Sequence, residues 1–178
     1  MNLPNYITLV RVVLIPFFIG LMIYGHYGAA IATFVAACVT DALDGMIARL
    51  TNQKTELGAV LDPMADKLLI LAAFVTLVLL KMLPVWLVIV VVSRDIILVL
   101  GSMALYFTGH ELKARPSIIG KVTTVLQLGV VLSSLFLKFF NVKMAWMPAL
   151  VWTTAAFTVA SGIHYVARGT KIVGQDMK

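Results

Sequence analysis

Asp41, Asp44, Asp62 and Asp66 are four of the chain's eight acidic residues, and all lie in or beside stretches apolar enough to span a bilayer. A carboxylate at membrane depth costs roughly 2.5–3.5 kcal/mol on insertion scales, so its default reading is functional. Four together call for a compensating positive charge, and a divalent cation is the simplest candidate. Hard oxygen donors suit Mg²⁺, Mn²⁺ or Ca²⁺. Four carboxylates exceed what one Mg²⁺ usually takes from protein, so the set suggests two ions, or one ion and a catalytic base. Asp41 and Asp44 are spaced i,i+3 and Asp62 and Asp66 i,i+4, so each pair shares one helix face. Gly45 and Gly58 would let a bulky ligand or a second backbone approach closely. Arg49 follows Asp44 by five residues and could hold an anion beside a metal. Each residue alone has a plainer reading: a polar helix contact for Asp41, a cap ahead of Pro63 for Asp62, a snorkelling anchor for Arg49. The full set at this spacing favours a site.

The elements that position these residues follow from hydropathy. The chain has 178 residues, 61% hydrophobic and 12% charged, with a mean hydropathy of +1.01. A soluble domain of this length needs more polar surface. Six apolar segments can be drawn, at Ile7–Tyr24, Ala29–Leu50, Gly58–Leu80, Pro84–Phe107, Ser117–Phe140 and Ala145–Ala167. Each approaches the ~20 residues needed to cross the hydrocarbon core, and continuous hydrophobicity favours helices over barrel strands. The expected fold is an all-α integral membrane protein, a bundle of six transmembrane helices forming one domain over residues 1–178. The first segment lacks a basic n-region and a cleavage site and reads as a retained helix.

The even-numbered loops and the tail hold Lys54, Lys113, Arg115, Lys171 and Lys178, against Lys81, Lys138 and Lys143 at the odd-numbered loops. That bias places both termini and the aspartate site on the cytoplasmic side. The net charge of +6 has no polar domain to carry a nucleic-acid face, so basic loops at an anionic bilayer or an anionic substrate explain it better. Cys38, the sole cysteine, excludes an intrachain disulfide and reads as a packing residue. His26, His110 and His164 read as solvated loop or interface residues, none as a ligand.

The stretch Asp41-Ala-Leu-Asp44-Gly45-Met-Ile-Ala48-Arg49, eight residues, Gly58, three residues, Asp62, three residues, Asp66 matches D-x2-D-G-x2-A-R-x8-G-x3-D-x3-D at every fixed position. It resembles the signature of the CDP-alcohol phosphatidyltransferase family. The opening Asn2-Leu-Pro4-Asn5-Tyr-Ile-Thr8-Leu-Val-Arg11 is similar to the family's N-terminal segment, and six membrane helices are the family's core. The resemblance implies that Asp41, Asp44 and Asp62 are metal ligands and that Asp66 is the general base and also touches a metal. It implies Mg²⁺, with Mn²⁺ as the substitute. It places Gly45, Gly58, Arg49 and Thr55, with Asn5 and Thr8, around the cytidine diphosphate of the donor, CDP-diacylglycerol. A homodimer is the family's common state, although no residue here marks the interface. A prokaryotic plasma membrane fits the compact chain.

The acceptor is open to more than one reading. Arg94 lies inside the fourth segment and either pairs with an aspartate or binds substrate. Arg115 and Lys121, with Thr124 and Gln127, cluster polar groups at the start of the fifth segment, where the helix dipole favours anions. Gly120-Lys121-x-x-Thr124-x-x-Gln127 resembles the family members that use glycerol 3-phosphate, a phosphorylated alcohol. Pro116-Ser117 resembles those that transfer to phosphatidylglycerol and form cardiolipin. Phosphatidylinositol-phosphate and phosphatidylserine synthesis stay open. From another class, a divalent-cation transporter would spread its carboxylates through the membrane or repeat them, and here they cluster.

Overall fold

Six stretches of apolar helix former, separated by Gly, Asn and Pro, fold as six helices. The computed structural model describes residues 3–51, 56–107 and 118–175, with side chains described over 10–40, 67–101 and 118–170. The helices are α1 (Leu3–Ile23), α2 (Tyr27–Thr51), α3 (Glu56–Leu79), α4 (Val85–Phe107), α5 (Ile118–Phe139) and α6 (Met147–Gln175). The all-α expectation holds among the described residues. Two helical stretches, Ile118–Phe139 and Met147–Thr170, are long and apolar enough to cross a membrane.

Two boundaries differ from the hydropathic reading by more than two residues, for different reasons. α1 begins at Leu3, four residues earlier, because Pro4 sits in the first turn, where a missing N–H costs nothing. α6 continues to Gln175, eight residues beyond Ala167, because the segment turns polar without ceasing to be helical.

Two compact units are present. The first comprises Met1–Leu83 and Val131–Lys143, the second Pro84–Val130 and Met144–Lys178. In the first, α1 packs against both α2 and α3. Phe18 and Phe34, both fully buried, set the register of α1 on α2, with ring centroids 5.6 Å apart. In the second, α4 packs against α6, and Trp86 lies on Trp152 with centroids 4.7 Å apart. Gly101 brings the α4 backbone close to α6, since a Cβ there would stand 2.7 Å from Tyr165 Cε1. Thr123 Oγ1, fully buried, donates across to the Phe157 carbonyl at 3.1 Å as well as to Ile119 in its own helix. Close packing and such hydrogen bonds join the helices of this unit.

The turns after α1, α3 and α5 share one geometry. The N–H of His26, Met82 and Val142 donates to the carbonyl five residues back, on Leu21, Leu77 and Leu137, at 2.8, 2.8 and 3.0 Å. The preceding residue is left-handed each time: Gly25 at φ 79°, Lys81 at φ 56° and Asn141 at φ 53°. These are Schellman caps, which satisfy the last carbonyls and reverse the chain.

Candidate functional site

The candidate site grows out of the buried stripes of unit one. On α2, Ala30, Phe34 and Ala37 are fully buried, at spacings of four and three. Continuing that alternation along the helix reaches Asp41 and then Asp44. On α3, Leu77, Ala73 and Leu69 are buried, and the same stripe runs back to Asp66 and Asp62. Both aspartate pairs thus occupy the helix faces whose other members form the core around α1.

The pairs also sit at matching levels. Asp44 and Asp41 lie seven and ten residues before the end of α2; Asp62 and Asp66 lie six and ten residues after the start of α3. At about 1.5 Å per residue the two pairs fall within one turn of each other, measured from the connection between their helices. A set of hard carboxylate oxygens at one level on two helix faces fits a divalent ion. The aspartate side chains lie outside the described ones, and among the described residues no group of three His, Cys, Asp or Glu could hold a metal.

The other sequence candidates fall as follows. Gly45 is i+4 from Asp41 and Arg49 is i+4 from Gly45, so both continue near the Asp41 face of α2. Gly58 lies in the first turn of α3 and Asn5 and Thr8 in the first two turns of α1. Their side chains, with Thr55 and Arg115 altogether, lie outside the described residues. Arg94 and Lys121 belong to the second unit. Lys121 is exposed in the first turn of α5.

Arg94 is held in place on α4. Its Nη1 donates to Asp95 Oδ1 at 2.7 Å and its Nη2 to Ser161 Oγ on α6 at 3.0 Å. Its described acidic partner is its neighbour Asp95; the side chains of the four clustered aspartates lie outside the described ones. Among the described residues Arg94 Nε is buried with no hydrogen-bond partner, as is Nε2 of the buried Gln127. Ser161 escaped sequence reasoning, since a lone serine in an apolar helix signals only packing. Sequence reasoning notes Arg11 only as part of the N-terminal segment and gives it no role, although it is the one charge within the first apolar segment and is 1% exposed.

Residues 1–160 match the CDP-alcohol phosphatidyltransferase family. The chain is 36% identical to the Bacillus subtilis CDP-diacylglycerol--glycerol-3-phosphate 3-phosphatidyltransferase, over 94% of each chain. It is 32% identical to the Yersinia enterocolitica protein of the same name, over 93% of each. It is also 35% identical to the human cardiolipin synthase (CMP-forming), over 97% of this chain but 63% of the human one.

Proposed function

The chain belongs to the CDP-alcohol phosphatidyltransferase family, a divalent-metal-dependent group of phospholipid-synthesising transferases, and from that premise we propose that it moves the phosphatidyl group of CDP-diacylglycerol to glycerol 3-phosphate, releasing CMP and forming phosphatidylglycerophosphate. The observation that carries the acceptor is the end-to-end likeness to the Bacillus subtilis enzyme, which covers 94% of both chains.

In this reading Asp41, Asp44, Asp62 and Asp66 hold Mg²⁺, or Mn²⁺ in its place. When bound, such an ion would supply positive charge to offset the negative charge of the diphosphate. Asp66, one turn from Asp62, takes the proton of the attacking hydroxyl. Gly45, Gly58, Arg49, Thr55, Asn5 and Thr8 hold the cytidine diphosphate. Arg94, Arg115 and Lys121 bind the acceptor's phosphate. The guanidinium of Arg94, held in a fixed orientation by Asp95 and Ser161, supports that role as a fixed positive charge.

All six helices span a prokaryotic plasma membrane in this reading, with both termini and the aspartates cytoplasmic. A lipid-linked donor gives the reason: its acyl chains stay in the bilayer while its head reacts at the surface. Cardiolipin-type transfer is the second reading, favoured by the 35% identity to the human enzyme. CMP release by purified protein with CDP-diacylglycerol and Mg²⁺ separates the two. Release with glycerol 3-phosphate alone supports the first reading. Release with phosphatidylglycerol alone keeps the site and replaces the acceptor. Release with neither, from folded protein, removes both.

A further inference from the structure

We propose that Arg11 is the fixed counter-ion of the aspartate cluster, a positioning residue that pairs with Asp41 and holds it for metal binding. The pairing stands on the register of α1 and α2; its consequence for the metal rests on the functional reading above.

Arg11 is 1% exposed and among the largest fully buried side chains of the protein. A buried guanidinium without an anion costs several kcal/mol, so its location has to supply one. α1 is the helix that packs on both aspartate-bearing helices. The Phe18–Phe34 contact fixes which α2 residue is level with Arg11. The tight turn at Gly25 makes the helices antiparallel, so moving back along α1 and forward along α2 is motion in one direction. Arg11 lies seven residues before Phe18, and Asp41 lies seven residues after Phe34. Seven residues make almost two full turns, about 10 Å along each axis. Arg11 therefore shares the face of Phe18, Asp41 shares the face of Phe34, and the two stand at one level.

An arginine suits this position because its planar fork can hold a carboxylate by two parallel hydrogen bonds, fixing its orientation. It also offsets part of the mutual repulsion of four carboxylates before any cation arrives.

The test is a double-mutant cycle in metal-free detergent-solubilised full-length protein, read as the thermal midpoint. Arg11→Met and Asp41→Asn should each lower the midpoint, and the double variant should fall no further than the worse single. Additive losses would overturn the pairing, as would non-additivity found with Asp62→Asn and absent with Asp41→Asn. Arg11→Lys keeps the charge without the fork and carries the test where Arg11→Met does not fold. Its half-saturating Mn²⁺, followed by the paramagnetic signal of free ion, should rise about 10-fold or more, as for other outer partners of metal ligands. An unchanged Mn²⁺ titration would remove the positioning role. Wild-type protein that binds no Mn²⁺ would instead sink the metal reading, while the thermal cycle still decides the pair.

Discussion

Asp66 and Arg94 carry separable consequences at the scale of single residues. Asp66→Asn removes the proposed base while keeping size and polarity. Turnover should fall by about 10²–10⁴-fold, the usual contribution of a positioned base, with the fold intact by circular dichroism. Near-normal CMP release would take the base role from Asp66. Arg94→Met deletes the positive charge that Asp95 and Ser161 hold in a fixed orientation. Hydrogen bonds to charged groups contribute about 1.5–3 kcal/mol, so KM for glycerol 3-phosphate should rise about 10- to 100-fold while KM for CDP-diacylglycerol holds. Equal increases in both constants would assign Arg94 to packing alone. The aspartates stand out in the sequence because a carboxylate in an apolar helix needs a reason and theirs is a spacing; their side chains lie outside the described ones. Arg11 does not stand out, because one arginine near the start of an apolar segment looks the same whether it snorkels to the interface or is buried. Only its 1% exposure decides that.

At the scale of elements, hydropathy located all six helices, and it failed where polarity and helicity part company. The last turns of α6, Arg168 to Gln175, are helical yet no longer uniformly apolar. The turns show a second limit. Gly25 announces its left-handed conformation, whereas Lys81 and Asn141 adopt the same conformation with a Cβ present. Asparagine tolerates it; lysine does so at a cost of roughly 1 kcal/mol. Lys81→Gly should therefore raise the thermal midpoint by about 2 °C, given ~2–4 °C per kcal/mol for a chain of this size and partial loss to the freer unfolded chain. Gly25→Val should lower it by more, since a β-branched residue is a poor fit to positive φ. A lower midpoint for Lys81→Gly would mean that the lysine side chain contributes more than its backbone strain costs.

At the scale of the whole molecule, the proposed orientation rests on the distribution of basic residues. In the proposed six-span reading Lys54, Lys113, Arg115, Lys171 and Lys178 belong to the even-numbered loops and the tail, and Lys81, Lys138 and Lys143 to the odd-numbered loops. The three Schellman turns are the odd-numbered connections, where the chain reverses in few residues. A water-soluble nucleotide leaving group and a phosphorylated acceptor belong to the cytoplasm, so the charge bias and the chemistry agree. Because Cys38 is the only cysteine, a Cys38→Ser background makes this directly measurable. A single cysteine placed by Asn52→Cys should react with a membrane-impermeant maleimide in inside-out vesicles and resist it in right-side-out ones. Val142→Cys, at an exposed turn position, should show the reverse. The opposite pattern would put the aspartates outside the cell, where neither a CDP-linked donor nor a sugar-alcohol phosphate is supplied. It would leave the family assignment standing while removing the proposed reaction's access to its substrates. Labelling of both positions from one side would mean that the helices between them do not cross the bilayer an odd number of times, and the six-span reading would fall with it.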